Sequence, residues 1–304
     1  MPKLLILSTS ETEEYRKLIE QPNLPQLEFT TIKSECDIVL GETRLIKTAL
    51  LDLVKVKWIQ TMSAGVEVLM DPSLRRDYAL TNARNVFGEL MSEYVFGYLL
   101  AHEKKIFERY KAQQAKNYDR FEGGWLRGKT IGLLGVGSIG AHIAMVAKTF
   151  GMKVRGYTVA SESSSHVDQY FHGDDLLKFA DGLDYLVVIL PRTNDTNQIV
   201  DANVLNTLPS RAVLINVGRG NAVDEPALIE ALNNKTIATA ILDVTAQEPL
   251  PEDHPFWTTP NLLLTFHTSA ISYPEDLTRV FIENYKLYIE GKPLKYQVDF
   301  ERGY

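Results

Sequence analysis

Short apolar runs separated by amphipathic stretches recur along most of the chain. "KLLILS" (3–8), "DIVLG" (37–41) and "WIQTMS" (58–63) have the near-continuous apolar character of strands covered on both faces, as in a parallel sheet. "ETEEYRKLIE" (11–20) carries a helical pattern between the first two. A longer helical pattern runs from about Glu89 to Lys116, entered from "NVFG" and closed near "FEGGW" (121–125). From Lys129 the alternation sharpens. Strands are predicted at "TIGLLG" (130–135), "KVRGYT" (153–158), "YLVVIL" (185–190), "AVLINV" (212–217), "IATAILDV" (237–244) and "LLLTF" (262–266). Helical patterns or long connections separate most of these six, the strand count of a doubly wound α/β domain. One more helix, at about 274–290, precedes a polar tail ending "VDFERGY". There is no tandem repeat, and "SESSS" (161–165) reads as a loop.

A chain of 304 residues suits one large or two medium domains. The chain reads as two Rossmann-like, parallel-sheet α/β domains, with residues 97–271 inserted into a discontinuous domain of 1–96 plus 272–304 and the active site expected in the cleft between them. The balance of 32 Lys and Arg against 39 Asp and Glu, a net charge of −7, argues against nucleic-acid partners. Cys36 is the only cysteine, so neither an intrachain disulfide nor a cysteine-built metal site can form, and a reducing, cytoplasmic setting is expected. The apolar run in "MPKLLILSTS" is too short for a secretory segment, and no run approaches the roughly 18 apolar residues of a membrane span. No metal site and no membrane partner are expected.

"TIGLLGVGSIGAHIAMVAKTFG" places Gly135, Gly137 and Gly140 in G-x-G-x-x-G spacing between a strand and an amphipathic helix. The first glycine suits a tight turn, the second close approach of a pyrophosphate, and the third close packing of helix on strand. The N–H groups at the helix start, from Ser138 and Ile139, then face the phosphates. A ligand-free βα turn is the plainer alternative. The next strand ends in Thr158, 18 residues after Gly140, where an acid would accept both ribose hydroxyls of NAD. Thr158, with Ser161, Ser163, Ser164 and Ser165 after it, does not repel a 2′-phosphate, which tilts the choice toward NADP over NAD. No Lys or Arg lies between Gly156 and Ser165. Arg192 in "ILPRTNDT" is the candidate cation across the adenine crevice, with a solvated loop charge as the alternative. Pro191 and Thr196 of the same loop, and Val217 after the next strand, complete the expected cofactor contacts.

Three further strands end in polar residues, at the sheet edge where catalytic groups gather. "VLINVGRGNAVDEPAL" sets Arg219 between glycines. "AILDVTAQEPLP" sets Asp243 at a strand end and Glu248 in the loop, and "NLLLTFHTSA" sets His267 after the last strand. A forked guanidinium suits a carboxylate beside a carbonyl, and an imidazole suits delivery of a proton. His102, His142, His166, His172 and His254 lack such a context and read as non-catalytic. Phe256 and Trp257 read as packing anchors.

These stretches, with "WIQTMSAGVE", "GLLGVGSIG", "LPRTNDT" and "HPFWTTPNLLLTFHTSA", resemble the D-isomer-specific 2-hydroxyacid dehydrogenase family in order and over nearly the whole chain. The "VDFERGY" ending is similar to the glyoxylate/hydroxypyruvate reductase branch. The resemblance implies that Arg219, Glu248 and His267 are catalytic, and that the N–H groups around Ala64 and Gly65 bind the substrate carboxylate with Arg219. It also implies that Asp243 accepts from the nicotinamide carboxamide, and that the chain forms a homodimer through its long helix. The implied reaction is hydride transfer between NAD(P)H and a small 2-oxo acid. The alternatives are an NAD-linked enzyme for bulkier 2-oxo acids and a dinucleotide-sensing protein like the family's co-repressors. Two departures stand out: Phe266 holds the place where the family usually has Pro before its His, and Glu89 and Met91 occupy a stretch where small residues are usual.

Overall fold

The computed structural model describes residues 1–304 except Ala160, Ser161, Ser163 and Tyr304. Ser161 and Ser163, expected near the ribose, therefore lie outside the described residues. The chain divides into two compact units, Met1–Val86 with Ser272–Tyr304, and Phe87–Ile271.

The first unit opens with β1 (Lys3–Leu7), α1 (Thr12–Glu20), β2 (Glu28–Phe29), β3 (Ile38–Gly41), α2 (Thr43–Ala49), β4 (Trp58–Thr61) and β5 (Ala79–Thr81). The second holds α3 (Gly88–Glu103), α4 (Ile106–Gln114), β6 (Thr130–Leu134), α5 (Ser138–Thr149), β7 (Lys153–Tyr157) and β8 (Gln169–Phe171). It continues through α6 (Leu176–Ala180), β9 (Tyr185–Val188), α7 (Ala202–Thr207), β10 (Val213–Asn216), α8 (Glu225–Asn233), β11 (Thr239–Leu242) and β12 (Leu262–Leu264). Helix α9 (Pro274–Ile289) returns to the first unit.

In the first unit the strands form a parallel sheet ordered β2-β1-β3-β4-β5. Every residue of β3 and β4 is buried, which is why both read as unbroken apolar runs. Trp58 anchors the returning segment. Its indole stacks on Phe281 of α9 with centroids 5.2 Å apart, and its Nε1–H donates to Thr81 Oγ1 at 2.8 Å.

In the second unit seven parallel strands are ordered β12-β11-β10-β9-β6-β7-β8. Strand order reverses between β9 and β6, so the crevice outside their carboxyl ends is the expected ligand position of a doubly wound sheet. The six strands predicted for this region are present. The seventh, β8, is three residues long and carried no readable period.

The helical pattern of 89–116 resolves into two helices. Lys105, with φ of +53°, breaks the line between α3 and α4. Val95, Phe96 and Leu99 of α3 are buried in one cluster with Ile143 and Ala147 of α5, whereas α4 has no buried residue. The tertiary contacts that hold α3 straight are therefore missing beyond its end. The same packing places all of α3 in the second unit. The chain changes units at Val86–Phe87, before this helix, where the sequence pattern had suggested 96–97 within it.

Candidate active site

Because the second sheet is parallel, its polar strand ends share one edge. His267 follows β12, Asp243 and Glu248 follow β11, and Val217 and Arg219 follow β10. Pro191, Arg192 and Thr196 follow β9, Gly135–Gly140 follows β6, and Thr158 follows β7. Neighbouring strands are about 4.8 Å apart, so the reactive candidates occupy one end of the edge and the adenosine candidates the other.

The turn after β6 fits a dinucleotide. Gly135 has φ of +105°, which disfavours other residues. A Cβ on Gly140 would collide with the Gly135 carbonyl, so only glycine lets α5 start against the strand. A Cβ on Gly137 would meet nothing within 4 Å, so the backbone there borders open space. The N–H groups of Ser138 and Ile139 lie in the first turn of α5, where no intrahelical acceptor exists. Open space beside free donors at a helix start suits a pyrophosphate. Thr196 closes the opposite loop, its Oγ1 donating to the Pro191 carbonyl at 2.7 Å and accepting from Thr193 N–H at 2.9 Å. Arg192 is exposed, with no ion pair or hydrogen bond among the described residues. Val217 is buried and its N–H pairs with the Val188 carbonyl.

At the other end the loops lock into one another. Asn216, wholly buried at the end of β10, donates to the Arg219 carbonyl at 3.0 Å and accepts from Gly218 N–H at 3.1 Å. The Arg219 guanidinium turns back through Nη1 to the Gly218 carbonyl at 2.8 Å. Gly220 lies so close to the Thr245 and Ala246 backbone that any side chain would overlap it, which brings the Arg219 loop against the loop carrying Glu248. Glu248 Oε1 accepts from Thr245 N–H at 3.1 Å, and its Oε2 meets His267 Nδ1 at 2.8 Å. A carboxylate only accepts, so Nδ1 carries the hydrogen and Nε2 remains the exchangeable nitrogen. The His267 side chain is about half exposed, at 53%, which leaves Nε2 accessible to a substrate.

Asp243 holds the His267 loop. Its Oδ1 accepts from Thr265 Oγ1 at 2.7 Å and Thr268 N–H at 2.8 Å, its Oδ2 from Ser269 N–H at 3.1 Å, and its carbonyl from His267 N–H. Thr265 spends its single hydroxyl proton on Asp243, so Tyr94 Oη, 2.6 Å away, must donate to Thr265. Burial holds the Tyr94 phenol well above its usual range, which keeps it a donor. Only 2% of Asp243 is exposed, and three of its roughly four lone-pair sites are filled. It holds the loop in this geometry, with one lone-pair site left for the carboxamide that the family resemblance implies.

Phe266 and His267 have φ of +57° and +59°. A proline, fixed near −65°, cannot take the conformation of Phe266, so the departure from the family's usual residue has a backbone consequence. Trp257 proves 47% exposed and lies over Phe266 with centroids 5.6 Å apart, whereas Phe256 is buried. Of the two expected packing anchors, only Phe256 sits in the core.

In the first unit, the loop after β4 has its carbonyls engaged. Ser63 O accepts from Thr61 Oγ1 and Ala83 N–H, Ala64 O from Asn82 Nδ2, and Gly65 O from Ser63 Oγ. The Ala64 and Gly65 N–H groups have no acceptor among the described residues, the arrangement an incoming carboxylate would complete.

A family model described as D-isomer specific 2-hydroxyacid dehydrogenase, NAD binding domain, matches residues 96–269, more than half of the chain. The chain belongs to the D-isomer specific 2-hydroxyacid dehydrogenase family. Glyoxylate/hydroxypyruvate reductase A of Yersinia enterocolitica is 30% identical over 258 residues, 83% of this chain and 82% of that protein. The crystal structure of a D-isomer specific 2-hydroxyacid dehydrogenase family protein from Aeromonas salmonicida is 38% identical, covering 98% of this chain and 99% of that one, with a TM-score of 0.92. A D-isomer specific 2-hydroxyacid dehydrogenase from Xanthobacter autotrophicus, in complex with NADPH and MES, is 28% identical over 98% of this chain and 99% of that one, with a TM-score of 0.89.

Within this dehydrogenase the sequence reading missed Tyr94, Thr265, Asn216 and Asn82. Asn216 had a signal, a lone amide at the end of the apolar run "AVLIN". The other three reach their partners only through the tertiary fold. Met91, one of the atypical residues, accepts from Ser269 Oγ through its sulfur at 3.3 Å, so it too borders the His267 loop.

Proposed function

We propose that this dehydrogenase reduces small 2-oxo acids of the glyoxylate or hydroxypyruvate type to D-2-hydroxy acids, with NADPH as the preferred hydride donor. The observation that carries the reading is the His267–Glu248 pair at 2.8 Å, one strand away from the Arg219 loop. When bound, the reduced nicotinamide supplies the hydride. Arg219 holds the substrate carboxylate and polarises the carbonyl through its two-pronged fork. Ala64 and Gly65 donate to the carboxylate. His267 delivers the Nε2 proton to the alkoxide oxygen as charge develops, and Glu248 keeps Nδ1 protonated and the ring oriented. Asp243 and Tyr94 fix the loop that aims the imidazole. The turn at Gly135–Gly140 would hold the pyrophosphate, and Thr158 would face the ribose. The Yersinia reductase and the NADPH-bound Xanthobacter structure support this reading.

Cofactor preference tests it. NADPH should give the higher kcat/KM by a modest margin, and Thr158→Asp should reverse the order, because a carboxylate bonds a 2′-OH but opposes a 2′-phosphate. Arg192→Ala should weaken NADPH more than NADH if that guanidinium reaches across the crevice, and both alike or neither if it is a solvated charge. A wild-type preference for NADH of about tenfold or more would contradict the reading of Thr158. We further propose a homodimer, supported by the exposed Ile106, Phe107 and Tyr110 of α4. Sedimentation should give twice the chain mass, and a monomer at micromolar concentration would rule the dimer out.

A further inference from the structure

The segment that follows β7 carries no Lys or Arg of its own for a 2′-phosphate. Between Tyr157 and Asp175 the sequence has no Lys or Arg. Three basic groups beside β7 and β8 are committed elsewhere, and Lys153 stands at the opposite, amino end of β7. Lys148 pairs with Asp168 at 2.7 Å, Lys178 with Asp175 at 2.7 Å, and Arg155 donates to the Asp181 carbonyl at 2.6 Å. What stands next to Thr158 is His172. The register pairs Tyr157 with Phe171, so the next residue of each strand lies side by side at the carboxyl edge.

The two nitrogens of His172 both face acceptors. Nδ1 lies 2.6 Å from the Thr158 carbonyl, and Nε2 lies 2.7 Å from Glu162 Oε1. A carbonyl and an ionised carboxylate can only accept, so both ring nitrogens carry hydrogen and the ring is an imidazolium. The bond to Glu162 and then the bond to the Thr158 carbonyl raise its pKa above the ordinary histidine value. The placement is built in. Tyr170, two residues earlier, accepts from Ser164 N–H at 3.0 Å and donates to the Ser164 carbonyl at 3.2 Å, so β8 holds Ser164 by both of its backbone groups. His172 is nonetheless solvent-accessible, with 45% of its side chain exposed. The other charged groups that bear on it are acids, Glu162 and Asp175, the latter already held by Lys178.

We infer that His172 is the residue that reads the 2′-phosphate. In the free enzyme its imidazolium rests on Glu162. With NADPH bound, the phosphate replaces Glu162 on Nε2, while Nδ1 stays on the Thr158 carbonyl. The inference rests on the proposed binding of NADPH at the Gly135–Gly140 turn, and it makes cofactor choice depend on pH. The folded-state pKa of His172 is raised, so the charge is present below that value and lost as pH rises through it. NADPH affinity should therefore decline on the alkaline side while NADH affinity does not. The second ionisation of a phosphate monoester lies near 6, so above pH 7 the ligand's own charge is constant.

Isothermal titration of the purified protein with NADPH and with NADH at pH 7 and pH 9 tests this without turnover. In the wild type, the Kd for NADPH should weaken about tenfold between the two pH values, the scale of one charge-assisted contact, and the Kd for NADH should hold. His172→Gln should give the weaker NADPH value at both pH values with NADH binding intact, which also shows that the variant folds. His172→Lys should keep tight NADPH binding at pH 9, and it serves if the Gln variant does not fold. Glu162→Gln should move the midpoint of the NADPH-specific loss to lower pH. If His172→Gln leaves the NADPH-to-NADH ratio unchanged while Arg192→Ala removes it, the inference is overturned and NADPH preference stands. If the wild type binds NADH about tenfold more tightly, the cofactor reading fails and the inference fails with it.

Discussion

His267→Gln is expected to lower kcat for 2-oxo acid reduction by about 10²–10⁴-fold, the usual worth of a positioned general acid, with the Kd for NADPH unchanged. The physical ground is the single exchangeable nitrogen. Glu248 occupies Nδ1 at 2.8 Å and so fixes which nitrogen faces out. Glutamine can hydrogen-bond the substrate oxygen, but it has no proton to give at neutral pH, so the alkoxide must wait for water. The ring's backbone position does not depend on its side chain. The N–H groups of His267, Thr268 and Ser269 all remain on Asp243, so the variant should fold normally. Steady-state kinetics with a cofactor titration decides it, and a kcat within a few-fold of wild type would remove His267 from the mechanism.

Arg219→Lys should raise KM and lower kcat together, for a combined loss in kcat/KM of about 10²-fold. Lysine keeps the charge but presents a point donor in place of a planar fork. One charge-assisted bond to the carboxylate or carbonyl is lost, worth roughly 1.5–3 kcal/mol. The split matters. A change in KM alone would mean that Arg219 binds ground and transition states equally, whereas a fall in both shows a contact that strengthens as the carbonyl polarises. The backbone should tolerate the change, because Asn216 clamps the Arg219 carbonyl independently of the side chain. A silent lysine variant would assign the carboxylate to the Ala64 and Gly65 amides alone.

The positions of Arg219, Glu248 and His267 after neighbouring strands were legible in the sequence because each follows an apolar run. In a parallel sheet, strand ends converge on one edge without further information. The long buried strands were legible for the same reason, since covering both faces demands unbroken apolar runs. β2, β5 and β8, of two or three residues, lack the unbroken apolar run that marked the equally short β12, and missing β8 hid the neighbour of Thr158. His172 therefore read as a histidine without context. The break between α3 and α4 falls on Lys104–Lys105 with no glycine or proline to mark it. It arises from where packing against α5 ends. The duties of Asp243 could not be read from its neighbours either. Its position after β11 suggested a ligand contact, but its hydrogen-bond partners come from Thr265, Thr268 and Ser269, more than twenty residues away. The left-handed pair Phe266–His267 has no local signature, because phenylalanine and histidine adopt that conformation only when surrounding bonds impose it.

Transfer of the hydride itself tests the central claim most directly. NADPH carrying deuterium at both C4 positions of the nicotinamide, incubated with this protein and hydroxypyruvate, should yield D-glycerate with deuterium at C2, with loss of absorbance at 340 nm in equal amount. Mass spectrometry and chiral chromatography of the product read both features. Unlabelled glycerate, the L isomer, or binding of NADPH with no turnover on any 2-oxo acid would contradict the account.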